Sequence, residues 1–179
     1  MKLPEKDAAG KRSRDAGMAE PGVSLRPMTL DTATDVLSGL RRGDWAEGYP
    51  TPGDMDVARI VLERSRTGRK IGHEAFHPHQ ILLGDSLVVG GIGCHQPPER
   101  DTVEVGYGIA PEHQRKGICT EALSQLLEKL ASAGVKVVLA RTDLHNFASQ
   151  RVLARNGFSA TRTDGDFLVW EKSLVAARR

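Results

Sequence analysis

The fold of this chain is decided by the stretch Gln114-Arg115-Lys116-Gly117-Ile118-Cys119-Thr120. It follows residues 102–110, where apolar and polar side chains alternate as in a β-strand, and it leads into apolar residues at helical spacing. The first amides of a helix have no intrahelical partners and lie at the positive end of its dipole. The stretch therefore predicts a strand-to-helix junction that binds an anion such as a pyrophosphate, with Gly117 allowing close approach.

A second interpretation of the same loop stays open, in which Gly117 only forms a turn and Arg115 and Lys116 are solvated charges. Other phosphate-binding loops are excluded by their motifs. The GxxxxGK[ST] pattern is absent, and the cluster Gly90-Gly91-Ile92-Gly93 lacks both GxGxxG spacing and a strand-to-helix context. We expect those glycines to mark a bulge or a close contact between elements.

The residues after the loop predict a parallel strand-helix-strand unit. The apolar positions that follow Ile118 have the i, i+3, i+4 spacing of an amphipathic helix: Ala122, Leu123, Leu126, Leu127 and Leu130. Gly134 ends this helix, and the continuous apolar run of Val135 to Ala140 is typical of a strand covered on both faces. Such a connection between parallel strands is right-handed.

The other segments extend this unit in both directions. Upstream, three strands with short turns predict an antiparallel meander, and they are His79 to Leu83, Leu87 to Cys94 and Thr102 to Ala110. Downstream, we predict a helix from Phe147 to Arg155 and a hairpin of Phe158 to Thr161 and Phe167 to Leu174. At the start, we predict a strand from Val23 to Met28, a helix capped by Asp31 or Thr32, and a helix from Thr51 to Thr67.

This order predicts a single-domain α/β fold with a mixed, mostly antiparallel sheet flanked by helices. The length of 179 residues fits one domain. We expect a disordered tail over residues 1–22, which are polar and aperiodic, the domain over 23–175, and a short basic end over 176–179. The start of the chain has no apolar signal region and no run is long enough to cross a bilayer, so we expect a cytoplasmic protein.

Several function classes find little support in the composition. A formal charge of +2 is too small to indicate binding to nucleic acid. The basic residues of the tail and Arg178-Arg179 leave nucleic-acid binding as a hypothesis that can be tested. Cys94 and Cys119 have no CxxC spacing, and the six histidines occur without HExxH, so we expect neither a disulfide nor a metal site. The sequence is compatible with a homodimer.

The segment Gly43 to Pro50 contains Trp45 and Tyr49 in a loop between the two predicted helices. Two aromatic side chains in a glycine-containing loop are explained either by a hydrophobic plug or by the wall of a substrate site. Trp45 and Tyr49 are therefore candidates for substrate binding, and a hydrophobic plug is the alternative interpretation of the same two residues.

Two motifs in order make the chain resemble the GNAT superfamily of N-acetyltransferases. The family's cofactor motif, Gln/Arg-x-x-Gly-x-Gly/Ala after a strand, is matched by Gln114, Gly117 and Cys119, although Cys119 replaces a glycine or alanine. Downstream, Asn146 and Ser149 begin a second motif that runs to the Gly-Phe pair at 157–158. Within the superfamily, the likeness is greatest to the branch containing ribosomal-protein Nα-acetyltransferases.

The resemblance implies that acetyl-CoA is the cosubstrate and that specific residues hold it. The amides of Tyr107, Gly108 and Ile109 would lie beside the pantetheine. The amides of Arg115, Lys116, Gly117, Ile118, Cys119 and Thr120, in the loop that Gln114 begins, would hold the pyrophosphate. Asn146 and Ser149 would line the thioester end.

The resemblance also implies acetylation of a primary amine, on a protein N-terminus, a peptide or a small molecule, by direct transfer. Glu104 shares a strand face with Gly106 and Gly108 by alternation, so it is the candidate base that removes the ammonium proton, directly or through a water. Its alternative is an idle carboxylate paired with an arginine. The tyrosine that serves many relatives as general acid is replaced by Leu153. The competing functional hypothesis is therefore a non-catalytic acyl-CoA-binding module.

Overall fold

The computed structural model describes residues 21–68, 72–96 and 98–175. The predicted tail lies outside these residues except for its last two positions, and the predicted basic end, 176–179, lies outside them entirely. Within the described ranges, no helix is both long enough and apolar enough to cross a membrane.

Seven strands and four α-helices make up the described fold. In chain order they are β1 Val23–Pro27, α1 Leu30–Ser38, α2 Pro52–Thr67, β2 His79–Leu83, β3 Leu87–Cys94, β4 Thr102–Ile109, α3 Ile118–Ser132, β5 Val137–Asp143, α4 Phe147–Arg155, β6 Ser159–Asp164 and β7 Phe167–Ser173. The strands form one sheet in the order β1-β2-β3-β4-β5-β7-β6, and β4 with β5 is its parallel pair. This confirms the predicted mixed α/β fold and its parallel unit.

The helices cover opposite faces of the sheet. Successive strand residues point to opposite faces, and Val89 belongs to the larger apolar cluster with α3, whereas Val88 belongs to the smaller cluster with α1 and α2. Helix α3 supplies six buried side chains to the larger cluster, all at the spacing predicted for it. The loop before α3 is thereby held at a fixed place on the sheet.

Strands β4 and β5 separate after a short paired stretch. They pair only from Thr102–Glu104 to Val137–Leu139. Beyond these residues β4 is bonded to β3 alone and β5 to β7 alone, so a gap opens between residues 105–109 and 140–143. This gap lies at the end of β4 that leads to the loop before α3.

The glycines of β3 allow α2 and β4 to approach closely, as predicted. A Cβ at Gly91 would lie 2.0 Å from Oδ1 of Asp54 in α2, and a Cβ at Gly90 would lie 2.1 Å from the carbonyl oxygen of Gly108. The β2–β3 register also shifts beside this cluster, between Ile81 and Leu82. Any larger side chain at Gly91 would push α2 away from the sheet.

Two local predictions were wrong. The cap of α1 is Thr29, whose side chain accepts a hydrogen bond from the Thr32 amide. Asp31 therefore lies inside the first turn, and Thr32 supplies the amide that is capped. Strand β5 is not covered on both faces, because its burial alternates and Val137 and Leu139 are only half-buried.

The substrate-wall interpretation of Trp45 and Tyr49 does not agree with their burial. Both side chains lie in the smaller cluster, 4% and 2% exposed, with their rings in edge contact at 5.1 Å between centroids. The Tyr49 hydroxyl accepts a hydrogen bond from Nε2 of Gln80, which is also buried. They form the hydrophobic plug instead, because the loop folds back against Val88 and closes the core between α1, α2 and the sheet.

Trp45→Ala is expected to lower the free energy of unfolding by about 3–5 kcal/mol, because it leaves a cavity in a closed core. Urea denaturation followed by circular dichroism measures the change. Trp45→Phe keeps most of the volume and serves as the comparison, with an unchanged KM for the acceptor. A raised acceptor KM in Trp45→Phe without loss of stability would restore the substrate-wall interpretation.

Candidate active site

Two cavities meet at the gap between β4 and β5. The sheet cavity, about 540 Å³, extends over β3, β4 and α2 and includes Gly91, His95 and Gly106 in its lining. The loop cavity, about 720 Å³, lies against the loop before α3 and the side of α4. Residues common to both linings are Thr51, Tyr107, Gly108, Asn146 and Ser149. These five residues mark the passage that joins the cavities.

The loop before α3 has the backbone of an anion site. Arg115 and Gly117 have φ values of 62° and 77°, in the left-handed region, and Gly117 is the N-cap of α3. The first backbone bond of the helix runs from the Glu121 amide to the Gly117 carbonyl. No described residue accepts a hydrogen bond from the amides of residues 115–120. These donors lie at the positive end of a 15-residue helix, which favours a negatively charged group.

Gly117 is needed for its conformation, because a Cβ there would meet nothing within 4 Å. Gln114 contributes through its side chain, whose Nε2 donates to the Ile109 carbonyl at 3.0 Å and holds the loop to the end of β4. Of the two basic side chains, Arg115 lines the loop cavity, and Lys116 is exposed and is not among the lining residues.

Cys119 lies half-buried in the wall of the loop cavity and packs against the core cluster of α3. Burial raises the pKa of its thiol to about 12, so it stays protonated near neutral pH. It therefore behaves as a small apolar residue and not as a nucleophile. Ile118 points into the core, and Thr120 lines the cavity beside Cys119.

The backbone of β4 presents alternate residues to the gap. The His95 amide donates to the Glu104 carbonyl, and the Ala110 amide donates to the Val89 carbonyl. In an antiparallel ladder these two bonds mean that the even-numbered residues of β4 direct their backbone N–H and C=O groups to β3, and the odd-numbered residues direct theirs to the other side. The amides of Tyr107 and Ile109 therefore face the gap, whereas the amide of Gly108 is directed to β3. Gly108 provides space, since a Cβ there would lie 3.1 Å from Oγ1 of Thr51.

Hydroxyl groups lie at the passage between the cavities. Ser149 and Tyr107 place their hydroxyl oxygens 2.8 Å apart, and Oδ1 of Asn146 accepts from the Ser149 amide as the cap of α4. Burial raises the pKa of Tyr107 to about 12, so its hydroxyl remains a hydrogen-bond donor near neutral pH. Leu153, at the position of the family's tyrosine, is fully buried.

Glu104 faces the same side of the sheet as Gly106 and Gly108, as alternation predicted. Its partner is not an arginine: Oε1 lies 3.4 Å from Nδ1 of His95. The side chains of Glu104 and His95 are 32% and 56% exposed, so this pair lies at the rim and not in the core.

Sequence reasoning missed three residues of the site. Thr51 caps α2 through a capping box with Asp54 and lines both cavities, while Arg151 and Arg155 line the loop cavity from α4. The spacing of the arginines, four residues on one helix, indicates a common face, but only the packing of α4 beside the loop shows where that face points. No group of three or more possible metal ligands occurs among the described residues.

Comparisons with known proteins agree with this architecture. The family described as "Acetyltransferase (GNAT) domain" matches residues 23–159. The uncharacterized N-acetyltransferase YjdG of Bacillus subtilis (strain 168) is 32% identical over 130 residues, covering 69% of this chain and 77% of that protein.

Two solved structures show the same fold at low identity. The ribosomal-protein-S5-alanine acetyltransferase from Vibrio fischeri has a TM-score of 0.61 at 15% identity, covering 84% of this chain and 92% of that one. PaiA N-acetyltransferase from Thermoplasma acidophilum, in complex with coenzyme A, has a TM-score of 0.60 at 17% identity, covering 85% and 99%. The family match over most of the described chain and the relative at 32% identity decide the assignment. The chain belongs to the GNAT family of acetyltransferases.

Proposed function

We propose that this enzyme transfers the acetyl group of acetyl-CoA directly to a primary amine. The observation that carries the proposal is the gap between β4 and β5, which connects the unpaired amides of residues 115–120 to the sheet cavity. A long, phosphate-bearing thioester fits the loop cavity at one end and reaches the passage at the other. The coenzyme A bound to the PaiA protein supports the same choice of donor.

The residues of the loop cavity fit the phosphate end of the donor. The amides of Arg115 to Thr120 would hold the pyrophosphate, because a helix N-terminus and a left-handed turn direct several N–H groups to one point. Three arginines, Arg115, Arg151 and Arg155, add positive charge around them. The amides of Tyr107 and Ile109 would bond the pantetheine along the open edge of β4.

The reaction would take place at the passage, where Ser149 and Tyr107 lie between the two cavities. The acceptor would enter through the sheet cavity, whose lining carries the carboxylates of Asp56 and Asp143 as well as the guanidinium groups of Arg64 and Arg141. An ammonium group is not a nucleophile, so the acceptor amine must first lose a proton, and Glu104 would support this step.

The acceptor class is a primary amine on a protein N-terminus, a peptide or a small molecule. Because the ribosomal-protein-S5-alanine acetyltransferase from Vibrio fischeri shares the fold, a protein N-terminus is included among the acceptors to be tested. Thiol release from acetyl-CoA, screened over N-terminal peptides, small amines and polyamines, tests the function. We expect release that depends on one class of amine. Thermal stabilisation by acetyl-CoA without release with any amine would favour the non-catalytic binding module.

The double variant Arg151→Ala/Arg155→Ala is expected to raise the KM for acetyl-CoA by about tenfold, because each charge-assisted contact to a phosphate contributes about 1 kcal/mol or more. The value of kcat should stay within twofold, since neither residue lies at the passage. Steady-state kinetics with varied acetyl-CoA measures both. Arg66→Ala, at an exposed residue of α2 that lines neither cavity, is the control. An unchanged KM would remove α4 from the donor site.

A further inference from the structure

His95 is fixed beside Glu104 by the backbone. It follows the last residue of β3, and its amide donates to the Glu104 carbonyl at 2.9 Å. Residues paired in this way across antiparallel strands carry their side chains on the same face. Nδ1 of His95 accordingly lies 3.4 Å from Oε1 of Glu104. The two groups are therefore within ion-pair distance, and a carboxylate beside Nδ1 favours the tautomer that carries its proton there and leaves the Nε2 lone pair free.

Gly106 makes room for the other end of the imidazole. A Cβ at Gly106 would lie 2.4 Å from Nε2 of His95 and 3.2 Å from Cδ2, so the ring lies directly over this residue. Gly106 is two residues from Glu104 on the same strand face, in the direction of the passage. The ring therefore extends from the carboxylate toward the acceptor side of the gap.

The two members of the pair differ in their access to the cavity. His95 and Gly106 both line the sheet cavity, whereas Glu104 is not among its lining residues. An acceptor amine in that cavity would meet the imidazole before the carboxylate. Glu104 would act through the ring and not by direct contact.

We propose that His95 is the general base of the reaction and that Glu104 is its positioning residue. This inference rests on the proposed acetyl transfer. Nε2 of His95 takes one proton from the acceptor ammonium while Nδ1–H donates to Glu104, which stabilises the imidazolium. The amine nitrogen then bonds to the carbonyl carbon, the carbon–sulfur bond breaks, and the second amine proton ends on the thiol sulfur. The proton held by His95 returns to solvent.

His95→Gln should lower kcat about 100-fold with ethylamine or a peptide N-terminus as acceptor, within the usual range for loss of a general base. The affinity for acetyl-CoA, measured by calorimetry, should not change. With O-methylhydroxylamine, which is already unprotonated near neutral pH, the loss should fall to about threefold or less. His145→Gln, on an exposed residue after β5, is the matched control and should retain full activity.

The double variant His95→Gln/Glu104→Gln tests whether the two residues act together in removing the proton or contribute to the rate independently. Residues that act as a unit are non-additive, so the double variant should be no slower than the slower single variant. A kcat for His95→Gln within threefold of the wild type, or an equal loss with both kinds of amine, would overturn this inference alone. A wild-type enzyme with no turnover on any amine would instead overturn the proposed function, and the inference with it.

Discussion

Gly117→Glu is expected to abolish detectable acetyl-CoA binding while the protein remains folded. The new carboxylate would lie at the N-cap of α3, among the amides that we assign to the pyrophosphate. Opposed like charges at an interface cost several kcal/mol, so affinity should fall by at least about 100-fold. Calorimetry measures the affinity directly. Acetyl-CoA should also no longer raise the melting temperature, because ligand stabilisation disappears with binding.

Two further variants separate charge from backbone strain. Gly117 has a positive φ, so any side chain there costs roughly 1–2 kcal/mol of conformational energy. Gly117→Ala carries that strain without the charge and should bind acetyl-CoA more weakly than the wild type but measurably. Gly165→Glu adds the same charge at another positive-φ glycine, in the β6–β7 turn, and should bind normally. Normal acetyl-CoA binding by Gly117→Glu would contradict the assignment of the pyrophosphate to this loop.

Glu104→Gln is expected to lower kcat about 100-fold with little change in the affinity for acetyl-CoA. The amide keeps the shape of the side chain, but it cannot stabilise a positive charge on the ring of His95, which lies 3.4 Å away. Loss of a proton acceptor or of the group that orients it typically costs a factor of about 10²–10⁴. Pre-steady-state measurement of thiol release, with saturating acetyl-CoA, isolates this step.

The control for Glu104→Gln is Glu128→Gln, which removes one exposed carboxylate from α3, away from both cavities. It should leave kcat and affinity unaltered, and this would exclude a general effect of net charge. If Glu104→Gln turns over at the wild-type rate, the carboxylate is only a structural partner of His95. A rise in the KM for acetyl-CoA alone would place it in the donor site.

Local patterns in the sequence were enough for most of the secondary structure. The bounds of β3 and α4 agree with the predicted ones, because glycine, proline and periodicity mark them within a few residues. The cap of α1 was misplaced because Thr29, Asp31 and Thr32 all have side chains that suit an N-cap, and only the coordinates show which one reaches a free amide. The extension of β5 to Asp143 depends on its pairing with β7 and leaves no local signal.

The backbone of the loop before α3 was determined by the sequence itself. Its unpaired amides, the helix dipole and the left-handed glycine all arise from residues 114–120 and the turn that follows, and the downstream motif then identified the family. What only the tertiary structure decided are the contacts between residues far apart in the chain. These are the burial of Trp45, the approach of Arg151 and Arg155 to the loop, the hydroxyl contact of Tyr107 with Ser149, and His95 seated between Glu104 and the cavity.

The separation of β4 from β5 is the most consequential of these long-range features. Residues 105–109 look like ordinary strand in the sequence, residues 141–143 have no strand signal of their own, and nothing in either segment says that the pairing stops after Glu104 and Leu139. Pairing is a property of two strands whose positions are fixed by β3, β7 and the helices packed on them. The sequence therefore determined the groups that we propose to bind the phosphates, and the tertiary structure decided where we propose that an acceptor amine meets the base.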